Sequence, residues 1–282
     1  MIRSRTLPIL LCLLLFTGCQ HAHQSAPAGR DRDADARLAA AVNAYRSAVL
    51  TLDPTTAPFW NLEPAHRDWP VRSPEALAGF RSASAAVLED LRAIDPAGLT
   101  TDDLRLRHAV LSESIATDLA AGVCRFELWQ GINHLNGWHR DLLQTAGSQP
   151  VETPQQREAA LVRWRSATDY IAQEIANARR GLRQGYSAPQ SVVRRVIAQA
   201  EAAIAGDSRS PLFSPADRAS DPVFRASFEA VVNHSVLPAM RSYVAFLKTE
   251  YLPRARVSRS IASHPEGDQC YRASFRSWTY LS

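Results

Sequence analysis

Apolar residues recur every three or four positions along most of this chain, which is the period of an amphipathic α-helix. Leu38, Val42, Tyr45 and Val49 form a first stripe over residues 35–52, and Asp53-Pro54 ends it. Residues 55–72 are proline-rich and carry Trp60 and Trp69, so they read as an irregular connection lying over a core. Ser73-Pro74-Glu75 starts the next helix, with Ser as N-cap and Pro at the first helical position. Leu77, Phe80, Val87, Leu91 and Ile94 are its stripe. Thr100, followed by Asp103, approximates a capping box for a third helix whose stripe holds Leu104, Leu111, Ile115 and Leu119, with His108 at the core edge.

Residues 124–145 are the least regular, because Gly131 and Gly137 interrupt any helix. His134 and His139 lie about 140° apart on a helical wheel, too far to share a metal. Thr153-Pro154-Gln155-Gln156 is a strong helix start. From it, Leu161, Trp164, Thr168, Ile171, Ile175, Ala178 and Leu182 predict one helix to Arg183, with Gly185 beyond its end. Ser187-Ala188-Pro189 restarts a helix to about Gly206, and Asp221-Pro222 begins the last long one. Pro238 is expected to kink or break it. His264-Pro265-Glu266-Gly267 is a turn, after which Tyr271, Phe275, Trp278 and Tyr280 present large rings. The expected fold is all-α: an irregular antiparallel bundle of long, proline-kinked helices around one core, with no sheet of note.

The N-terminus changes the picture. Arg3 and Arg5 precede an apolar run from Pro8 to Phe16, too short for the roughly 20 residues of a membrane span. Phe16-Thr17-Gly18-Cys19 follows. This resembles a bacterial lipoprotein signal over residues 1–19, in which the Cys19 thiol is acylated; the alternative is an ordinary secretory signal cleaved nearby. Gln20, where an aspartate would imply inner-membrane retention, favours the periplasmic face of the outer membrane. Residues 20–34 read as a flexible tether, with His21 and His23 as polar filler, and residues 35–282 as the helical domain. Cys124 and Cys270 then remain in an oxidising compartment, where they either pair or stay as two buried thiols.

The 282 residues carry a net charge of +4, and 32 of them are basic. All but Lys248 of these are arginine, spread among acids with no aromatic-interleaved basic run, so nucleic acid is not an expected partner. None of the eight histidines is followed by glutamate, and no phosphate loop, GxSxG elbow or zinc-spaced cysteine pair occurs.

Two segments nevertheless resemble the bacterial domain of unknown function 885 family. One is TPQQREAALVRWRSATDYIAQEIANARRGLRQGYSAPQSVVRRVIAQ; the other is VLPAMRSYVAFLKTEYLPRAR with PEGDQCYRASFRSWT. Their signatures fall at Gly185 to Pro189, Pro238 to Arg256 and Pro265 to Tyr271. The resemblance runs from about Asp35 to the end. Cys270 departs from it, standing where a tyrosine is usual. The family looks like zinc-dependent hydrolases of peptide or amide bonds, with a histidine-glutamate helix in a C-terminal half. The resemblance therefore implies a truncated relative holding no cofactor or metal ligand of its own, inactive alone, with zinc expected only in full-length relatives. Were the chain whole, the resemblance would make Tyr271 and Thr279 cleft candidates, the alternative for both being ordinary aromatic and polar packing; a peptide-like substrate or protein partner is expected, and the lipid signal implies a membrane attachment. The rival expectation is a lipid-anchored helical binding or scaffold protein without catalysis.

Overall fold

A computed structural model describes residues 30–63, 66–205 and 210–279. Among them extended pairing is limited to an isolated parallel bridge between Pro189 and Arg256; the rest is helix and turn. The signal and Cys19 lie outside the described residues.

Helix α1 (Arg30–Leu52) packs on α2 (Pro74–Arg92) and α3 (Asp102–Ala121), burying Leu38, Leu88, Leu91 and Ile115 among them. Helix α1 starts before residue 35, inside the expected tether, because Arg, Asp and Ala continue the helix upstream. The Ser73 hydroxyl caps α2 as the sequence suggests, accepting from Ala76 N at 3.2 Å. On α3 the cap is Thr101, which accepts from Leu104 N at 3.2 Å. Thr100 is taken instead by Asp35, to which it donates through N at 3.1 Å and through its hydroxyl at 2.5 Å.

A second group holds α4 (Trp138–Ser148), α5 (Pro154–Arg165), α6 (Ala167–Arg183), α7 (Gln190–Ile204), α8 (Ser214–Arg218), α9 (Pro222–Val231) and α10 (Leu237–Phe246). They enclose Trp164, Val193, Phe228, Tyr243 and Tyr251. The buried apolar residues thus form two clusters where one was expected. Glu174 and Asn177 are buried polar residues of α6.

The capping box at the start of α5 is complete: Gln156 N donates to Thr153 Oγ1 at 3.2 Å and Thr153 N to Gln156 Oε1 at 3.0 Å. The expected single helix to Arg183 breaks at Ser166, whose hydroxyl donates to Arg163 O at 2.9 Å and competes with the helical ladder. Gly185 ends α6 at φ 81°, a left-handed conformation that glycine adopts without strain. Around Pro238 the chain stays helical. A π turn over Val232–Val236 precedes the proline and accommodates its missing N–H.

Helix α11 (Gly267–Thr279) returns to the first group and packs on α3. A Cys124–Cys270 disulfide fixes its start, with Cα atoms 4.7 Å apart. Arg276 fixes its end by donating twice to Glu113 Oε1, at 3.1 and 2.9 Å. No helix among the described residues is long and apolar enough to cross a membrane.

Trp164 is the hub of the larger cluster. It is fully buried, with its ring 5.5 Å from Trp69 and 5.4 Å from Phe228, edge-on to both. Trp164→Ala is expected to lower unfolding free energy by about 3–5 kcal/mol in urea titrations. A loss under about 1 kcal/mol would contradict a core built on this ring.

Candidate functional site

Between the two helix groups lies a cleft of about 580 Å³. Helices α2 and α3 form one side, and α4 and α6 the other. Ser277 and Trp278 of α11 stand at the rim, where Trp278 is 87% exposed. The back wall is aromatic. Tyr170 stacks on Trp69 at 5.3 Å and meets Trp138 edge-on at 6.1 Å, while Trp138 lies 4.4 Å from Tyr243. Trp69 is locked by its indole N–H, which donates to Arg163 O at 2.7 Å. These contacts make the wall rigid, since each ring is held by neighbours from different helices.

Glu174 projects from this wall. It is only 9% exposed, yet no described residue hydrogen-bonds its carboxyl group. A methyl group at Gly131 would come within 3.1 Å of Glu174 Oε2, so the glycine leaves the carboxyl uncrowded. Burial pushes its pKa up to about 7; nearby Arg72 opposes the rise and Asp141 adds to it. The same desolvation raises Asp141, which lines the cleft from α4. Burial likewise holds the Tyr170 hydroxyl protonated.

Two other polar groups of the cleft have partners among the described residues. Arg72 pairs with Asp53 at 3.0 Å. Asn177 donates to Arg72 O at 2.9 Å and accepts from Gln173 at 3.2 Å. Three histidines have structural partners: His108 with Leu91 O at 2.9 Å, His139 with Gln199 at 3.0 Å, and His264 with Ser187 O at 2.8 Å.

Tyr271 and Thr279, the cleft residues that the resemblance implies, do not line this cleft; Ser277 and Trp278 on the same helix do. Tyr271 points outward and stacks on Phe275 at 6.5 Å, and the Thr279 hydroxyl donates to Phe275 O at 2.7 Å. Cys124 and Cys270 meet in the disulfide beside the cleft and are closed to thiol chemistry. Glu174, Asp141 and Arg72 were not singled out from the sequence. The signal was present for Glu174 alone, a charged residue three positions after Ile171 and four before Ala178, on the apolar stripe. The zinc implied for relatives finds no fitting donors: no group of three His, Cys, Asp or Glu among the described residues is placed to hold a metal.

The sequence profile described as bacterial protein of unknown function (DUF885) matches residues 54–282. The chain belongs to the DUF885 family. Its fold is similar to the crystal structure of a candidate lipoprotein from Colwellia psychrerythraea, with a TM-score of 0.67 at 15% identity. That likeness, which at this identity concerns the fold alone, covers 90% of this chain and 47% of the other. This DUF885 chain therefore spans about half the length of its solved relative. A search among curated proteins finds no match.

The raised pKa of Glu174 carries a stability consequence. The unfolded group ionises near 4.5 and the folded one near 7, so stability falls as pH rises between those values. Glu174→Gln cannot ionise. It is expected to be more stable than the wild type at about pH 8, by up to about 3 kcal/mol, and nearly equal to it below pH 5. Denaturant midpoints across pH test this; a variant less stable at about pH 8 would show that the ionised carboxylate is held by partners.

Proposed function

We propose that this DUF885 protein is a lipid-anchored component of the cell envelope, attached through Cys19 at the periplasmic face of the outer membrane. On this reading its cleft holds a peptide-like ligand, and the chain alone does not hydrolyse it. The observation that carries the reading is the cleft itself: about 580 Å³, with a rigid aromatic wall and a buried carboxyl that no described residue hydrogen-bonds. That size is ordinary for small-ligand sites, which combine apolar walls with few convergent polar groups. The lipobox and the lipoprotein name of the Colwellia psychrerythraea relative support the anchor. The family resemblance supports a peptide or amide ligand, and zinc-assisted hydrolysis for whole relatives. Binding without turnover is the part of the proposal that the hydrolysis assay below decides.

One observation favours a second reading, a scaffold that docks a protein partner. Tyr271, Phe275 and Trp278 form an exposed row on α11, 59%, 48% and 87% accessible.

Titrating the full chain with mixed short peptides in the presence of zinc tests the main reading. The expected result is a saturable change in tryptophan fluorescence with no release of new amino groups, and loss of membrane fractionation in Cys19→Ser. Hydrolysis that a chelator abolishes would contradict the non-hydrolytic role. Absence of any saturable change would contradict the binding role and leave the scaffold reading.

A further inference from the structure

We infer that Glu174 is the anchor for a protonated primary amine, such as a peptide N-terminus, on a ligand carrying an apolar group beside that amine. This rests on the reading that the cleft is a ligand site, and it names the chemistry recognised there.

The charges lining the cleft point to a cation. Arg72 is neutralised by Asp53 at 3.0 Å, and Glu127 pairs with Arg125 at 3.0 Å. The groups left without an ion pair among the described residues are the carboxyls of Glu174, Asp141 and Asp118 and the guanidinium of Arg81. The excess is negative. Glu174 is distinct within it: it alone is more than nine-tenths buried, and no described residue donates a hydrogen bond to it. An ionised carboxylate in that position is incomplete, and a ligand ammonium supplies both the charge and the N–H groups it lacks.

The surroundings select an amine over other cations. A metal ion needs further donors, and no three-donor group is present among the described residues. Trp138 and Tyr170 line the cleft with the carboxyl and offer apolar surface to the group attached to a bound amine. Gly131 leaves room beside Oε2, where any larger residue would crowd the approach. Phe80 and Phe126 extend the apolar lining toward the mouth.

The test uses the full chain at about pH 8, with phenethylamine and its neutral N-acetyl form as probes, and one short peptide with a free or acetylated N-terminus. Binding is read by calorimetry. Free amines are expected to bind and acetylated ones not. Glu174→Gln is expected to weaken the amines at least about tenfold, while Glu174→Asp, which keeps the charge but withdraws it by one methylene, weakens them less. Thermal melts verify that both variants fold. Equal binding of free and acetylated probes, undiminished binding in Glu174→Gln, or no binding of phenethylamine would each overturn the inference. Phenethylamine held through Glu174 while every peptide is refused would uphold the anchor and end the peptide reading. Peptides bound equally with free and acetylated ends would do the reverse.

Discussion

Taking a carboxyl group out of water without giving it a hydrogen-bond donor opposes folding, and α6 does this at Glu174. The burden is tolerable because α6 is fixed on its other contacts. Trp164, just before α6 begins, is fully enclosed. Ile171 and Ala178 sink into the larger apolar cluster, and Tyr170 is clamped between Trp69 and Trp138. With the helix held this firmly, Glu174 stays on the cleft wall, and protonation relieves its desolvation. Sites whose local energetics are poor but whose frame is strong are where proteins keep groups for binding or chemistry.

The cleft exists because the apolar residues fall into two clusters and not one. Turns and two short 3-10 helices, Gly122–Cys124 and Phe126–Leu128, carry the chain from α3 to α4. Helix α11 then bridges back. Its disulfide joins residues 146 apart in sequence. In the loop-entropy description, closing a loop of that length constrains the unfolded chain by about 4–5 kcal/mol. Together with the Arg276–Glu113 pair, this fixes Trp278 at the cleft rim.

Much of the helical order is legible in the residues because it rests on local chemistry. Ser73-Pro74, the Thr153–Gln156 box and Gly185 act through their own side chains or backbone freedom, and each lies where the pattern places it. Thr100 misleads because Asp35, distant in sequence, claims its hydroxyl. Ser166 breaks a helix that the apolar stripe alone would run through. The π turn before Pro238 is likewise invisible to a rule that allows only a kink or a break. Glu174 escapes notice for a different reason. A glutamate within a long helix ordinarily marks the solvent face, and only its register against Ile171 and Ala178 shows otherwise. Tyr271 and Thr279 do not line this cleft: both are exposed on α11, whose buried positions are Gly267 and Cys270.

Membership of the DUF885 family fixes the lineage of residues 54–282, and the Colwellia psychrerythraea structure shows the same fold in a chain about twice as long. The cleft of this chain carries an acid, Glu174, that no described residue hydrogen-bonds. The most direct measurement of that feature is an infrared pH titration of carboxyl bands, taking the difference between wild type and Glu174→Gln. The expected result is a protonated carboxyl band for Glu174 that disappears with a midpoint near 7. A carboxylate already ionised at pH 5 would mean that Glu174 is solvated or partnered, and would contradict the picture of a buried acid awaiting its ligand.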